Sequence, residues 1–202
     1  MKLVIITKST FFVEEDKILT ALFEEGMDNL HLYKPGSSPM YAERLLSLLS
    51  DDYYKKITVH DHYYLKTEYG LGGIHIDNPE DELPEGYKGN FSRTCNTIEQ
   101  LKAAKKKSRY VFLDHVFNGI TQPELKAAFT TEELKAASRH GLIDKHVYAL
   151  GGVTLDNIRQ CRDLGFGGVV VRGDLWNRFD IHNETDYKEL IAHFGKLRKA
   201  AG

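Results

Sequence analysis

Short apolar, β-branched runs recur along the chain and alternate with longer segments whose apolar positions repeat at helical spacing, a pattern that predicts a parallel sheet with crossover helices. Residues 3–7 read as the first strand. Ile18, Leu19, Leu22 and Phe23 then give a helical face that stops near Gly26. Residues 30–33 read as strand two, and Leu45, Leu46, Leu48 and Leu49 mark a helix over 40–50. Strand three is expected at 57–59, a brief helix at 63–69 and strand four at 74–76, ahead of a turn at 78–81. A short fifth strand starts at 90–92, and Thr97 is the expected cap of the helix that follows. Strand six covers 110–113, and a long loop to about residue 130 leads into a helix over 132–139. Strand seven, 147–150, stops at Gly151-Gly152; a helix covers 156–164, strand eight 168–171, and a last helix runs near 187–199.

Eight strands with intervening helices predict the α/β class and a single (β/α)8 TIM barrel, one domain over residues 1–202. The first strand is not followed by GxGxxG, so a dinucleotide-binding sheet is not supported. The chain carries 27 basic and 29 acidic residues, net −2, which supplies no global field for nucleic acid or an anionic membrane. The run Lys105-Lys106-Lys107 is expected to be a solvated helix end. Cys95 and Cys161 lie far apart with no ligand spacing, so neither a disulfide framework nor a structural zinc site is expected. The first residues carry too short an apolar run for a signal peptide, and no stretch approaches the ~20 apolar residues of a membrane span, so a cytoplasmic protein is expected. Assembly into a homo-oligomer is compatible with all of this.

Candidate chemistry gathers at the strand ends. Gly151 and Gly152 after strand seven let the backbone approach an anion with free N–H groups, and Arg172-Gly173 after strand eight occupies the neighbouring position where barrels frequently bind phosphate. His115 follows strand six directly and is the best general acid/base candidate. His60 and Asp61 follow strand three, where they could hold Mg²⁺, orient a substrate amine or relay a proton, while His62 is expected to cap the next helix. Tyr33-Lys34 after strand two and Arg93-Thr94 after strand five are weaker candidates, with Lys34 offered to substrate charge.

At these positions the chain resembles the thiamine phosphate synthase/TenI family. Residues 148–154 (YALGGVT) are similar to the family's AIGGIT, 165–171 (GFGGVVV) to its GADGVAVV, His60-Asp61 to its Asn-Asp pair and 73–76 (GIHI) to its GVHL. The resemblance implies a (β/α)8 barrel, a phosphorylated thiazole as small-molecule partner, and contacts from Tyr33, Lys34, Thr94 and Thr121. In the synthases, pyrophosphate leaves a pyrimidine diphosphate with the help of Mg²⁺ and basic residues, and thiazole phosphate captures the cation. Here the family's arginine after strand two is Tyr33, Pro35 stands for its lysine, Glu80 for its later metal-binding aspartate, and Gln122 for the lysine of its TxT loop. Asp114-His115-Val116-Phe117 instead resembles the Gly-His-Val-Phe of TenI-type thiazole tautomerases. The expected activity is therefore a tautomerase using His115, with no cofactor; a synthase requiring Mg²⁺ is the alternative, and a non-catalytic phosphate-ligand binding protein the third.

Overall fold

A computed structural model describes residues 1–180 and 187–202. Eight strands close into one barrel in chain order, each parallel to its neighbours: β1 Lys2–Ile6, β2 Leu30–Leu32, β3 Ile57–Val59, β4 Gly73–Ile76, β5 Phe91–Cys95, β6 Val111–Leu113, β7 Val147–Ala149 and β8 Gly168–Val171. The ring shuts where β1 pairs with β8, Lys2 opposite Gly168 and Ile5 opposite Val171. The helices are α1 Glu15–Glu24, α2 Pro39–Leu48, α3 Tyr64–Glu68, α4 Ile98–Lys107, α5 Thr131–Arg139, α6 Ile158–Asp163, α7 Gly173–Trp176 and α8 Lys188–Ala201.

Sequence signals explain several boundaries. Thr97 and Gln100 form a capping box on α4, and Thr130 and Glu133 do the same on α5, each satisfying two otherwise orphaned N–H groups. Pro39 occupies the first turn of α2, where its missing N–H costs nothing. Gly26, at φ 102°, releases the chain from α1 in a conformation closed to most side chains. Lys105 differs from the solvated helix end expected of it: its ammonium bonds the Gly141 and Leu142 carbonyls and lies 2.7 Å from Asp144, pinning α4 to the connection before β7.

Two cores follow from strand alternation. Outward residues such as Leu3, Ile5, Leu30, Ile57, Ile74, Val111, Val147 and Val169 pack against helix residues Ile18, Leu22, Leu46, Leu101 and Phe194. Burying each such side chain contributes about 1.5–3 kcal/mol. Inward residues Val4, Ile6, Tyr110, Phe112, Tyr148 and Val170 form a smaller second core inside the barrel. Gly168 is required there, because a Cβ would sit 2.6 Å from the Tyr148 ring. One sector of the interior is polar: His31, His75, Ser92 and Thr94 are buried, with the His75 ring 4.6 Å from that of Phe112. The Trp176 indole N–H donates to the Ile6 carbonyl at 2.7 Å, tying α7 to the end of β1. No helix among the described residues is long and apolar enough to cross a membrane.

Candidate active site

The C-terminal ends of the strands open into a cavity of about 390 Å³. Its lining includes Tyr33, His60, Asp77, Thr94, Asp114, His115, Thr121, Gly151, Gly152, Arg172 and Gly173. Of the candidates singled out from sequence, Lys34, Asp61 and Arg93 are outside this lining; Arg93 lines a separate groove, with its guanidinium donating to the Asn78, Pro79 and Asp81 carbonyls.

The wall after β7 and β8 is built by close backbone packing. Gly151 and Gly152 adopt φ 89° and 66°, where a side chain is strained. A Cβ on Gly151 would lie 2.7 Å from the His115 nitrogen, and one on Gly152 2.1 Å from the Asn118 carbonyl oxygen. One on Gly173 would lie 2.9 Å from the Thr121 hydroxyl. The N–H groups of Gly151, Gly152, Val153 and Gly173 have no acceptor among the described residues. Four unused donors converging at a barrel mouth are suited to an anion. Asp174 braces this wall from behind: its Oδ2 accepts from the Leu155 N–H at 3.0 Å and from the His193 ring at 2.8 Å. Burial is the largest influence and opposes ionisation of Asp174, but these two hydrogen bonds together with the charges of His193 and Arg178 outweigh it and hold the carboxyl below its ordinary range.

Arg172 brings a cation to the same wall, with its guanidinium 6.0 Å from the centre of the Tyr33 ring. The guanidinium makes no hydrogen bond within the described residues and lines the cavity, where it can meet a charged ligand. Burial, then the nearby Asp77 carboxylate, pushes the Tyr33 phenol up, so Tyr33 is a neutral donor at physiological pH.

His115 stands at the mouth in the left-handed region, φ 60°, which is uncommon for this residue type. The conformation is fixed from both sides. The His115 N–H donates to its neighbour Asp114 at 2.6 Å, and its carbonyl accepts from Ala128 at 2.8 Å. The ring is about one-third exposed, with Asp114 Oδ2 3.7 Å from Nε2. The loop that follows is cross-braced by the Gly119 N–H to the Leu125 carbonyl and by Ala127 N–H to Asn118 Oδ1.

Three expectations need correction. Lys34 is buried, ion-paired with Glu15 at 2.5 Å and bonded to the Thr10 carbonyl, so its charge is spent inside the β1 and β2 loops. Asp61 follows an inward-facing His60 and lies on the other side of the chain by simple alternation; its Oδ2 is buried without a partner. His62 does not cap α3: Tyr63 takes the cap position with no side-chain bond, and the His62 ring reaches the Ser37 carbonyl at 3.0 Å. Asp77, which does not stand out in the sequence, lines the cavity directly after β4 and accepts from His60 Nδ1 at 2.7 Å. A signal is nonetheless present: His75 faces inward, so Asp77, two residues on, must do so too.

His31, His60 and His75 form a group whose ring nitrogens lie within 4.8 Å of one another. Every one of these nitrogens is engaged in a hydrogen bond, to another histidine, Tyr110, Asp77, Ser92 or Thr94. The carboxylates that the resemblance offers to Mg²⁺ do not converge. Glu80 lines a separate groove between the loop before β5 and α4, and Asp61 lines neither that groove nor the mouth. As a pair they do not fit a bound metal.

Residues 4–175 match the family model described as thiamine monophosphate synthase. A solved structure, thiamine phosphate pyrophosphorylase from Bacteroides thetaiotaomicron, is 46% identical over 100% of this chain and 98% of its own, with a TM-score of 0.90. The thiamine-phosphate synthase of Flavobacterium johnsoniae is 24% identical over 155 residues, 72% of this chain and 70% of the relative. That of Nitrosococcus oceani is 26% identical over 172 residues, 80% of this chain and 78% of the relative. These names stand closer to the transferase than to the tautomerase expected from the sequence.

Proposed function

The chain belongs to the thiamine monophosphate synthase family, enzymes of thiamine biosynthesis, and on that premise we propose that its barrel mouth binds a thiazole phosphate and moves a proton on it. Residues 1–202 act as one domain in this reading, in the cytoplasm, where the buried thiols of Cys95 and Cys161 stay reduced. The phosphate is held by the N–H groups of Gly151, Gly152 and Gly173 and by Arg172, with Thr121 beside them and Tyr33 and Thr94 along the wall. His115 is the general acid/base.

The observation that carries this reading is the pairing of the partly exposed His115 imidazole, at a mouth where both nitrogens of the other imidazole, His60, are already engaged, with a cavity poor in cations. Isomerising a carboxythiazole phosphate needs only proton transfer at a bound ring. Capturing a cation generated by pyrophosphate loss needs the leaving group's charge neutralised. Lys34 is withheld by Glu15, and Glu80 lies outside the cavity, which leaves Arg172 for the phosphate itself.

The second reading is the synthase, and what favours it is the name carried by the relatives, including the solved structure that is 46% identical along the full chain. Mg²⁺ would belong to that reading alone. Purified protein is given each carboxythiazole phosphate isomer, with and without the pyrimidine diphosphate and Mg²⁺, while isomer interconversion and pyrophosphate release are followed together. Interconversion alone, lost in His115→Asn with binding retained, supports the tautomerase; pyrophosphate release with thiamine phosphate formation replaces it by the synthase. Binding without either reaction leaves a phosphate-ligand binding protein.

A further inference from the structure

The polar sector of the barrel interior is ordered as a single chain. Asn29 Nδ2 lies 3.4 Å from the Tyr110 hydroxyl, which lies 2.7 Å from His31 Nε2; His31 Nδ1 lies 2.8 Å from His60 Nε2, and His60 Nδ1 2.7 Å from Asp77 Oδ1. The two ends fix its direction. An amide nitrogen can only donate and a carboxylate can only accept. Tyr110 therefore accepts from Asn29 and gives its hydroxyl proton to His31 Nε2. A neutral His31 then carries hydrogen on Nδ1 and donates it to His60 Nε2, and His60 carries hydrogen on Nδ1 and donates it to Asp77. Neutrality is enforced by the surroundings: burial, then the adjacent His60, holds the His31 imidazole well below its ordinary range.

The chain runs from the N-terminal end of the barrel, where Asn29 and Tyr110 precede β2 and β6, to the mouth, where Asp77 follows β4. Asp77 is about half exposed and lines the same cavity as His115. His60 engages its Oδ1, and no hydrogen bond among the described residues engages Oδ2.

We propose that Asp77 is a second proton-transfer group of this cavity, positioned by the Tyr110–His31–His60 chain and working with His115. The proposal rests on the isomerisation reading. Asp77 Oδ2 takes a carbon-bound proton of the thiazole: the C–H bond breaks, its electron pair enters the ring, and an O–H bond forms on the carboxylate. The His115 imidazolium gives a proton to the ring atom where the electron pair arrives. The substrate keeps its composition. The enzyme is left with protonated Asp77 and neutral His115, and it resets by passing the proton from one to the other through water at the open mouth. Tyr110, His31 and His60 are positioning residues: the bond from His60 fixes the Asp77 carboxyl through Oδ1 and leaves Oδ2 without a partner among the described residues. His75 from β4, Tyr33 from the loop after β2 and Tyr63 beside α3 are the titratable groups that meet Asp77, and Asp61, Asp81, Arg93 and Arg172 act on those same two tyrosines.

Asp77→Asn keeps the shape and removes the proton acceptor. Its expected effect is a fall in kcat for isomer interconversion of about 100-fold or more, with thiazole phosphate affinity within about twofold of the original. Tyr110→Phe acts from the far end, outside the cavity. It should cost less kcat than Asp77→Asn, leave KM unchanged and shift the nitrogen-15 signals of His31 and His60, because the chain loses the donor at its far end. Nitrogen-15 spectra of the full chain should show His31 and His60 protonated on Nδ1 and bare on Nε2. Wild-type speed in Asp77→Asn, or a His60 proton on Nε2, overturns the proposal while leaving the functional reading intact. A wild-type protein that interconverts no isomer overturns that reading and the proton step with it, and is told apart by the wild-type assay alone.

Discussion

Lys34 and Glu15 illustrate how a residue's neighbours decide its use. Burial is the leading influence on both, pulling the ammonium down and pushing the carboxyl up, although each stabilises the other's charge. The ammonium also sits 4.6 Å from the centre of the Phe11 ring, so the pair fastens the loop after β1 to that after β2. Removing one partner strands the other: Lys34→Met should destabilise by about 3–5 kcal/mol, and adding Glu15→Leu should recover most of the loss. Chemical denaturation of the single and double variants checks this, and a harmless Lys34→Met would mean that the ammonium is free to meet substrate after all. Nothing in the sequence pairs residues that lie in different loops, which is why Lys34 reads there as a substrate contact. Gly152 is legible by contrast, because Gly-Gly at a strand end has few other uses. With φ 66° and the Asn118 carbonyl oxygen 2.1 Å from where a Cβ would stand, Gly152→Ala should cost about 1–3 kcal/mol and weaken thiazole phosphate binding, read by melting and titration calorimetry.

At the level of elements, the phosphate wall depends on a brace contributed by two helices that do not touch the cavity with these side chains. Asp174 in α7 joins the loop after β7, through the Leu155 N–H, to His193 in α8. His193→Ala should leave a partly buried carboxylate short of one donor, at about 1–3 kcal/mol, and should weaken phosphate binding more than it alters proton transfer once substrate is bound. A KM increase with unchanged kcat is the expected pattern; a kcat loss alone would argue against a bracing role. All eight strands are legible in the sequence to within a few residues because buried parallel strands are short apolar runs bounded by turns. The pattern shortens β5, whose Ser92 and Thr94 are polar yet point into the barrel to hold His75, at 2.7 and 2.8 Å. It gives no sign of α7 either, since four residues carry no period to read.

For the molecule as a whole, the polar interior makes stability depend on pH in a way a wholly apolar barrel would not. His31 and His75 are both fully buried, and burial first, then neighbouring histidines, lowers their imidazoles well below the ordinary value of 6.5. Between that value and their folded ones, the unfolded chain binds protons that the folded chain refuses, so folding stability falls as pH drops below about 6.5. The limiting slope is roughly 1.4 kcal/mol per pH unit for each histidine. Glu15 acts in the opposite sense, since its carboxyl is raised from 4.5, whereas the depressed Asp174 carboxyl acts in the same sense as the histidines. Urea midpoints measured at pH 7.5, 6.5 and 5.5 should therefore hold steady over the first step and drop over the second, and the drop should shrink when His75 is replaced by Gln. A barrel equally stable at all three values would mean that the interior histidines take up protons in the folded state as readily as in the unfolded chain. The neutral, directed hydrogen bonding that links Tyr110 to Asp77 would then be lost, so the same titration that measures the fold also tests the proton path through it.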